Sequence, residues 1–292
     1  MLLNKTVTAA IIGSGPAGIA AAIQLNRSGL KSLLMFDKKE HNSLLQNARM
    51  VENYLGFPDG ISGIELLRKF YEQLTNNNIN QIFSYVDSLD FVEQEQLFVI
   101  TAGKDLYYSK FVIVASGTNP KKIDLINNNI YYEITNIISQ KDKKIAIIGA
   151  GDAAFDYALS MAKANQVSIF NRGTNISALP ILQKKVTLCA QIKYYDNTKV
   201  IKINNKNMRK QQLTLQHKTN IFEQDFDYLI AAIGRTANKD FYSNTLKQLE
   251  SMLIKNKLLY LAGDIKNNIY RQISIATSDG ILAAMQLKEH IS

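Results

Sequence analysis

Apolar positions along this chain come in short continuous runs, each closed by a glycine or a polar cluster. Residues 7–12 are almost wholly apolar and run straight into Gly13, the pattern of a strand covered on both faces in a parallel sheet. Residues 17–27 are rich in alanine and stop at Gly29, which predicts a helix with a glycine terminus. Residues 31–36 predict the next strand. The same succession returns 136 residues later: a strand at 144–148, Gly149-Ala150-Gly151, a helix at 153–164 and a strand at 167–170. Two βαβ units in the same order predict parallel sheets covered by helices.

The intervening segments are of another kind. Residues 81–100 and 193–215 alternate apolar and polar positions in the manner of antiparallel strands. Strands at 111–115 and 228–233 end in Ser116-Gly117 and Gly234-Arg235. A strand at 258–261 and a helix at 273–291 close the chain. The two glycine-marked exits set the expected boundaries. The fold class expected is α/β, with two Rossmann-like, three-layer (ββα) dinucleotide-binding domains. Residues 1–115 and 237–292 form the first, and residues 116–236 form the second, inserted in it. That insertion rests on the last strand pairing with the first.

Composition narrows the function classes. With 292 residues, 46% of them hydrophobic and 20% charged, the chain can bury two cores and is not a disordered or fibrous polymer. The net charge is +9, with lysines scattered through a chain also rich in asparagine and isoleucine. Compositional bias is one reading of that charge; a basic face for an acidic partner or a nucleotide phosphate is the sharper one. No basic run is interleaved with aromatics, which argues against nucleic acid. No apolar run reaches the length of a membrane span, and the first strand leads into glycine rather than a cleavage site. The single cysteine, Cys189, excludes a disulfide within the chain and points to a reducing, cytoplasmic setting. The three histidines form no metal-ligand pattern.

The chemistry lies in the glycine turns. Gly13-Ser14-Gly15-Pro16-Ala17-Gly18 is a complete G-x-G-x-x-G between strand and helix. Its glycines permit the tight turn, close approach to a pyrophosphate and close packing of helix on strand, while the helix N-terminus offers N–H donors. Asp37 stands 19 residues after Gly18, at the end of the next strand, placed to accept from a ribose hydroxyl. The second turn, Gly149-Ala150-Gly151-Asp152-Ala153-Ala154, has the G-x-G-x-x-A form. Its second strand ends in Asn171-Arg172 instead of an acid, which favours the extra phosphate of NADPH over NADH. Two such sites point to FAD as resident cofactor and NAD(P)H as hydride donor. Ala262-Gly263-Asp264 after a late strand adds an acid for the flavin ribityl chain, and the helix beginning near Ile273 aims its N-terminus at the flavin edge that gains charge on reduction.

On these residues, together with Glu52-Asn53-Tyr54-Leu55-Gly56-Phe57-Pro58, Ala115-Ser116-Gly117 and Ile269-Tyr270-Arg271-Gln272, the chain resembles the low-molecular-weight thioredoxin reductases over nearly its whole length. The resemblance implies a homodimeric FAD protein with an inserted NAD(P)H domain that swivels. It implies FAD contacts at Ser14, Gly15, Pro16, Ala17, Asp37, Lys38, Asn53, Val86, Gly117, Asp264, Gln272 and Ile273, with Gly13, Gly18, Ala115 and Gly263 shaping the same site. The NAD(P)H set is Gly149, Gly151, Asp152, Ala153, Ala154, Arg172 and Gly234. Thioredoxin reductases carry a C-x-x-C shortly before the second glycine motif. Residues 119–144 contain no cysteine here, and Cys189, well past the motif, reads as a small apolar residue.

The segment 152–156 is similar to the ferredoxin/flavodoxin–NADP reductases of the same fold, which lack the cysteine pair and send electrons from flavin directly to an acidic carrier. The expected function is therefore an FAD-dependent NAD(P)H oxidoreductase with flavin-centred chemistry and no catalytic acid or base, its acceptor a ferredoxin or flavodoxin. An NAD(P)H oxidase or small-molecule reductase, and a non-catalytic flavin- and nucleotide-binding redox sensor, are the alternatives, with a thioredoxin-linked disulfide reductase using an outside thiol ranked last. One arginine stands after the second unit where NADPH-using relatives commonly have two, so NADH remains the alternative donor.

Overall fold

A computed structural model describes residues 6–38, 43–124, 129–207 and 210–291. Its first part runs β1 (Thr6–Ile12), α1 (Pro16–Arg27), β2 (Leu33–Asp37), α2 (Gly63–Thr75), β3 (Gln81–Phe83), β4 (Val86–Val92), β5 (Leu97–Ala102) and β6 (Asp105–Val114). A short strand β7 (Thr118–Pro120) leads to β8 (Ile130–Tyr131), β9 (Lys144–Ile148), α3 (Asp152–Met161), β10 (Gln166–Phe170), α4 (Pro180–Thr187) and β11 (Ile192–Tyr195). Next come β12 (Thr198–Asn207), β13 (Lys210–His217), β14 (Asn220–Phe226), β15 (Tyr228–Ala231) and β16 (Arg235–Ala237). The chain closes with α5 (Asn244–Lys255), β17 (Leu259–Leu261) and α6 (Ile273–Ile291).

These elements gather into two compact units. One holds the described residues of Met1–Gln46, Val51–Asn119 and Thr236–Ser292; the other holds Asn47–Met50 and Pro120–Arg235. The connecting strands β7 and β16 pair with each other as a two-stranded sheet. Among the described residues no helix is long and apolar enough to cross a membrane.

The first unit is built on a sheet in the order β3-β2-β1-β6-β5-β4, with β1, β2, β3 and β6 mutually parallel and β4 and β5 antiparallel. The strand β17 departs from expectation by pairing with β6, Leu259 opposite Val112, rather than with β1. Both edges of β1 are already taken, by β2 and by β6. The edge of β6 is shared instead: Asp105 to Ser109 faces β5, and Val112 to Val114 faces β17. On this sheet Phe36, Leu89, Phe98, Ile100 and Val112 are wholly buried.

Helix α1 begins at a proline, whose missing N–H costs nothing at a first turn, and buries Ala17, Gly18, Ala21, Ala22 and Leu25. Its small residues admit α6, so that a Cβ added at Gly280 would lie 2.0 Å from the Ala17 carbonyl oxygen. Helix α2 is started by Ser62, whose hydroxyl accepts from Glu65 N–H at 3.2 Å.

The second unit repeats the plan with the parallel order β11-β10-β9-β15-β8, over a core that includes Ile145, Ile147, Phe155, Ala158 and Ile169. The antiparallel sheet β12-β13-β14 lies in the same unit. Of the segments expected to be antiparallel, 81–100 holds the antiparallel pair β4-β5 but begins with β3, which is parallel to β2, and 193–215 holds the antiparallel pair β12-β13 but begins in β11, which is parallel to β10.

Candidate functional site

In each unit the glycine turn sits at the carboxyl edge of the parallel strands, where open α/β sheets bind nucleotides. At the first turn, Gly13 has φ +107° and takes a backbone hydrogen bond to Phe36 C=O at 2.8 Å. A Cβ on Gly13 would meet Ala115 C=O at 2.4 Å, and one on Gly18 would meet Gly13 C=O at 1.9 Å. Gly15, the residue preceding α1, faces an open side; its nearest neighbour would be Ser43 Oγ at 3.6 Å. The cradle is therefore tight where strand and helix meet and open where a pyrophosphate must approach the helix N-terminus.

The polar groups around this turn converge. Asp37 Oδ2 accepts from Ser14 N–H at 2.6 Å and from Ser14 Oγ at 2.7 Å, while its Oδ1 accepts from Lys38 N–H at 2.6 Å. The Lys38 ammonium lies 4.7 Å over the Tyr85 ring, next to Val86. Asn53 and Gln272, 219 residues apart, are joined by an amide hydrogen bond at 2.8 Å. Ala115 N–H donates to Ile12 C=O at 2.8 Å, and Gly117 has φ +67°. Gly263 (φ +77°) packs on Ala17, where an added Cβ would come within 2.9 Å, and Asp264 lies in the same single turn. Ile273 is the first residue of α6, and Gln272 C=O accepts the bond from Ala276 N–H that opens the helix. Val86 is the exception in kind: its side chain is core, so only its backbone is available to a nucleotide.

Two residues of this site carried no sequence signal. Asp279 on α6 accepts from Gly263 N–H at 3.2 Å, from Lys266 at 2.8 Å and from Asn267, and so folds the turn that presents Asp264. Tyr71 on α2 reaches Ser14 Oγ through its phenol oxygen.

At the second turn, Gly149 has φ +139°, donates to Phe170 C=O at 3.1 Å, and leaves no room for a Cβ, which would meet Ala232 C=O at 2.3 Å. Gly151 precedes α3 and Ala154 is buried, while Asp152 and Ala153 are exposed. Asp152 is occupied within the protein: its Oδ1 accepts from Leu179 N–H at 2.7 Å. Gly234 has φ +108° and its carbonyl accepts from Lys121 N–H at 3.0 Å. Arg172 is exposed, with no acidic partner among the described residues. Asn171 beside it is buried and shapes its loop, donating to Asn175 C=O at 3.0 Å and Tyr194 Oη at 2.9 Å and accepting from Gly173 N–H at 3.2 Å.

Charged residues of this unit pair with one another. Arg49 N–H donates to Asp156 at 3.0 Å, and Arg235 pairs with Glu133 at 3.3 Å. Burial, followed by the negative charge of Glu133, pushes the Tyr157 phenol up to about 12, against the opposing Arg235. Tyr157 is therefore neutral at physiological pH.

Comparison with known proteins decides what family these turns serve. The profile of the pyridine nucleotide-disulphide oxidoreductases matches residues 7–280. The chain belongs to that family. It is 28% identical over 309 residues to the thioredoxin reductase of Bacillus subtilis, covering 99% of this chain and 96% of that one. Its fold matches the thioredoxin reductase of Lactococcus lactis with a TM-score of 0.87 at 23% identity, over 98% and 99% of the two chains. It also matches the bacillithiol disulfide reductase of Staphylococcus aureus with a TM-score of 0.79 at 19% identity, over 99% and 100%. The α/β class with two Rossmann-like nucleotide-binding sheets is thereby established. Thioredoxin reductases of this family use FAD and NADPH, the cofactor pair expected from the sequence. The residues present fit that pair: a closed acid beside the first open cradle, and an unpaired arginine beside the second.

Proposed function

We propose that this chain is an FAD-dependent NAD(P)H oxidoreductase that hands electrons to an external acceptor without a redox-active disulfide of its own. FAD, when bound, supplies two-electron acceptance from a nicotinamide and onward delivery. Gly13, Ser14, Gly15, Pro16, Ala17 and Gly18 hold its pyrophosphate, Asp37 its ribose, and Asn53, Gly263, Asp264, Gln272 and Ile273 its flavin half, with Lys38, Val86, Ala115 and Gly117 bordering the site. Gly149, Gly151, Asp152, Ala153, Ala154 and Gly234 frame NADPH, with Arg172 on its 2′-phosphate. The FAD domain spans 1–115 and 237–292, and the NAD(P)H domain 116–236. Two such FAD domains join in a homodimer, a reading supported by the exposed apolar residues Ile281, Leu282 and Met285 on α6.

The observation that carries this reading is the pairing of two glycine cradles of opposite electrostatic character, in a chain whose single cysteine leaves no dithiol. We take the acceptor to be an acidic ferredoxin or flavodoxin, drawn to the +9 surface. Anaerobic mixing of the FAD-loaded chain with NADPH and such a carrier tests it: carrier reduction should outpace electron loss to oxygen in a parallel aerobic run. Equal rates contradict the carrier. The similarity to thioredoxin and bacillithiol disulfide reductases favours a second reading, direct reduction of an external disulfide. Faster thiol release from oxidised thioredoxin or a small disulfide than reduction of the carrier selects it.

A further inference from the structure

A buried chain of hydroxyl groups runs from α2 to the ribose-binding acid of the first site. Tyr71 lies on the inward face of α2 with Leu67 and Leu74, and is 5% exposed. Its phenol oxygen is in hydrogen-bond contact with Ser14 Oγ, itself buried, and Ser14 Oγ is 2.7 Å from Asp37 Oδ2. The direction of the chain follows from donor inventory. A carboxylate oxygen only accepts, so the Ser14 hydroxyl proton points at Asp37. Ser14 Oγ is then left as an acceptor, and Tyr71 O–H is the donor to it. With the Ser14 N–H on the same carboxylate oxygen at 2.6 Å, one residue grips Asp37 twice, and Tyr71 locks the rotamer that makes the second grip.

We propose that Tyr71 is a positioning residue for FAD: its hydroxyl orients Ser14, and through Ser14 holds the Asp37 carboxylate where the adenosine ribose of FAD meets it. The inference rests on the reading that the first site takes FAD. Its physical content is preorganisation. Hydrogen bonds in series polarise one another in a buried setting, and a carboxylate fixed beforehand loses less freedom on binding. Burial of the Tyr71 ring alone would ask nothing of the hydroxyl.

The experiment is a titration of deflavinated protein with FAD, for wild type, Tyr71→Phe, Ser14→Ala and the double variant, each checked by urea unfolding of its FAD-free form. Tyr71→Phe keeps the ring and should weaken FAD binding about tenfold, beyond any change in FAD-free stability. Added to Ser14→Ala, the same substitution should cost nothing further, because the relay is already severed. Tyr71→Leu repeats the test should the phenylalanine variant not fold. A wild type that takes up no FAD overturns the reading of the site and the proposal with it. A wild type that binds FAD, with Tyr71→Phe within twofold of it or with losses that add fully in the double variant, overturns the relay alone.

Discussion

Asp37 directly follows Phe36, whose carbonyl takes the Gly13 N–H, and Arg172 stands one position past the matching residue of the second unit, Asn171; in the proposed function their opposite charges distinguish the two ligands. Asp37 accepts from Ser14 and from Lys38 N–H, whereas Arg172 is exposed and without an acidic partner among the described residues. A guanidinium on a phosphate makes charge-assisted bonds worth roughly 1.5–3 kcal/mol, discounted here for exposure to about the lower figure. Arg172→Ala should therefore raise the KM for NADPH about tenfold and leave that for NADH unchanged; a parallel change for both donors contradicts the assignment. Both residues could be picked out in the sequence because each stands at or just past the end of the second strand of a βαβ unit marked by a glycine turn. Tyr71 and Asp279 were not. Tyr71 meets Ser14 across 57 residues and Asp279 meets Gly263 across 16, and nothing local in either helix distinguishes a core tyrosine or a helical aspartate from one that serves a site.

At the scale of elements, the first site depends on how closely α6 approaches α1. Gly280 makes that approach possible, since a Cβ there would lie 2.0 Å from Ala17 C=O and 3.1 Å from Ala21 N. Alanine is the better helix former by about 1 kcal/mol, yet the obstructing atoms are backbone and cannot rotate away. The clash wins: Gly280→Ala should destabilise the protein by roughly 2–3 kcal/mol in urea unfolding and weaken FAD retention, because Ala17 belongs to the glycine turn. Unchanged stability would show that the helices separate freely. The helices α1, α3 and α6 and the strands β1, β2, β6, β9, β10 and β15 were readable from short apolar runs and glycine stops, while α2, α4 and α5 and the pairing partner of β17 were not. Two slots beside β6 and β1 suit an apolar strand equally, and the choice was made by which edges other strands had filled.

At the scale of the whole molecule, the proposed function rests on the recurrence of one βαβ plan with two different endings, Asp37 in one unit and Asn171-Arg172 in the other. Family membership agrees with this, and the fold was legible because the repeat is long and in register. The acceptor was not legible, since a docking surface is set by shape and charge distribution and no linear motif encodes it. Electron capacity tests the account most directly. Under anaerobic titration with dithionite, the FAD-loaded chain should be fully reduced by two electrons per chain, the same in Cys189→Ala. Uptake of four electrons per chain would reveal a second two-electron centre and contradict it.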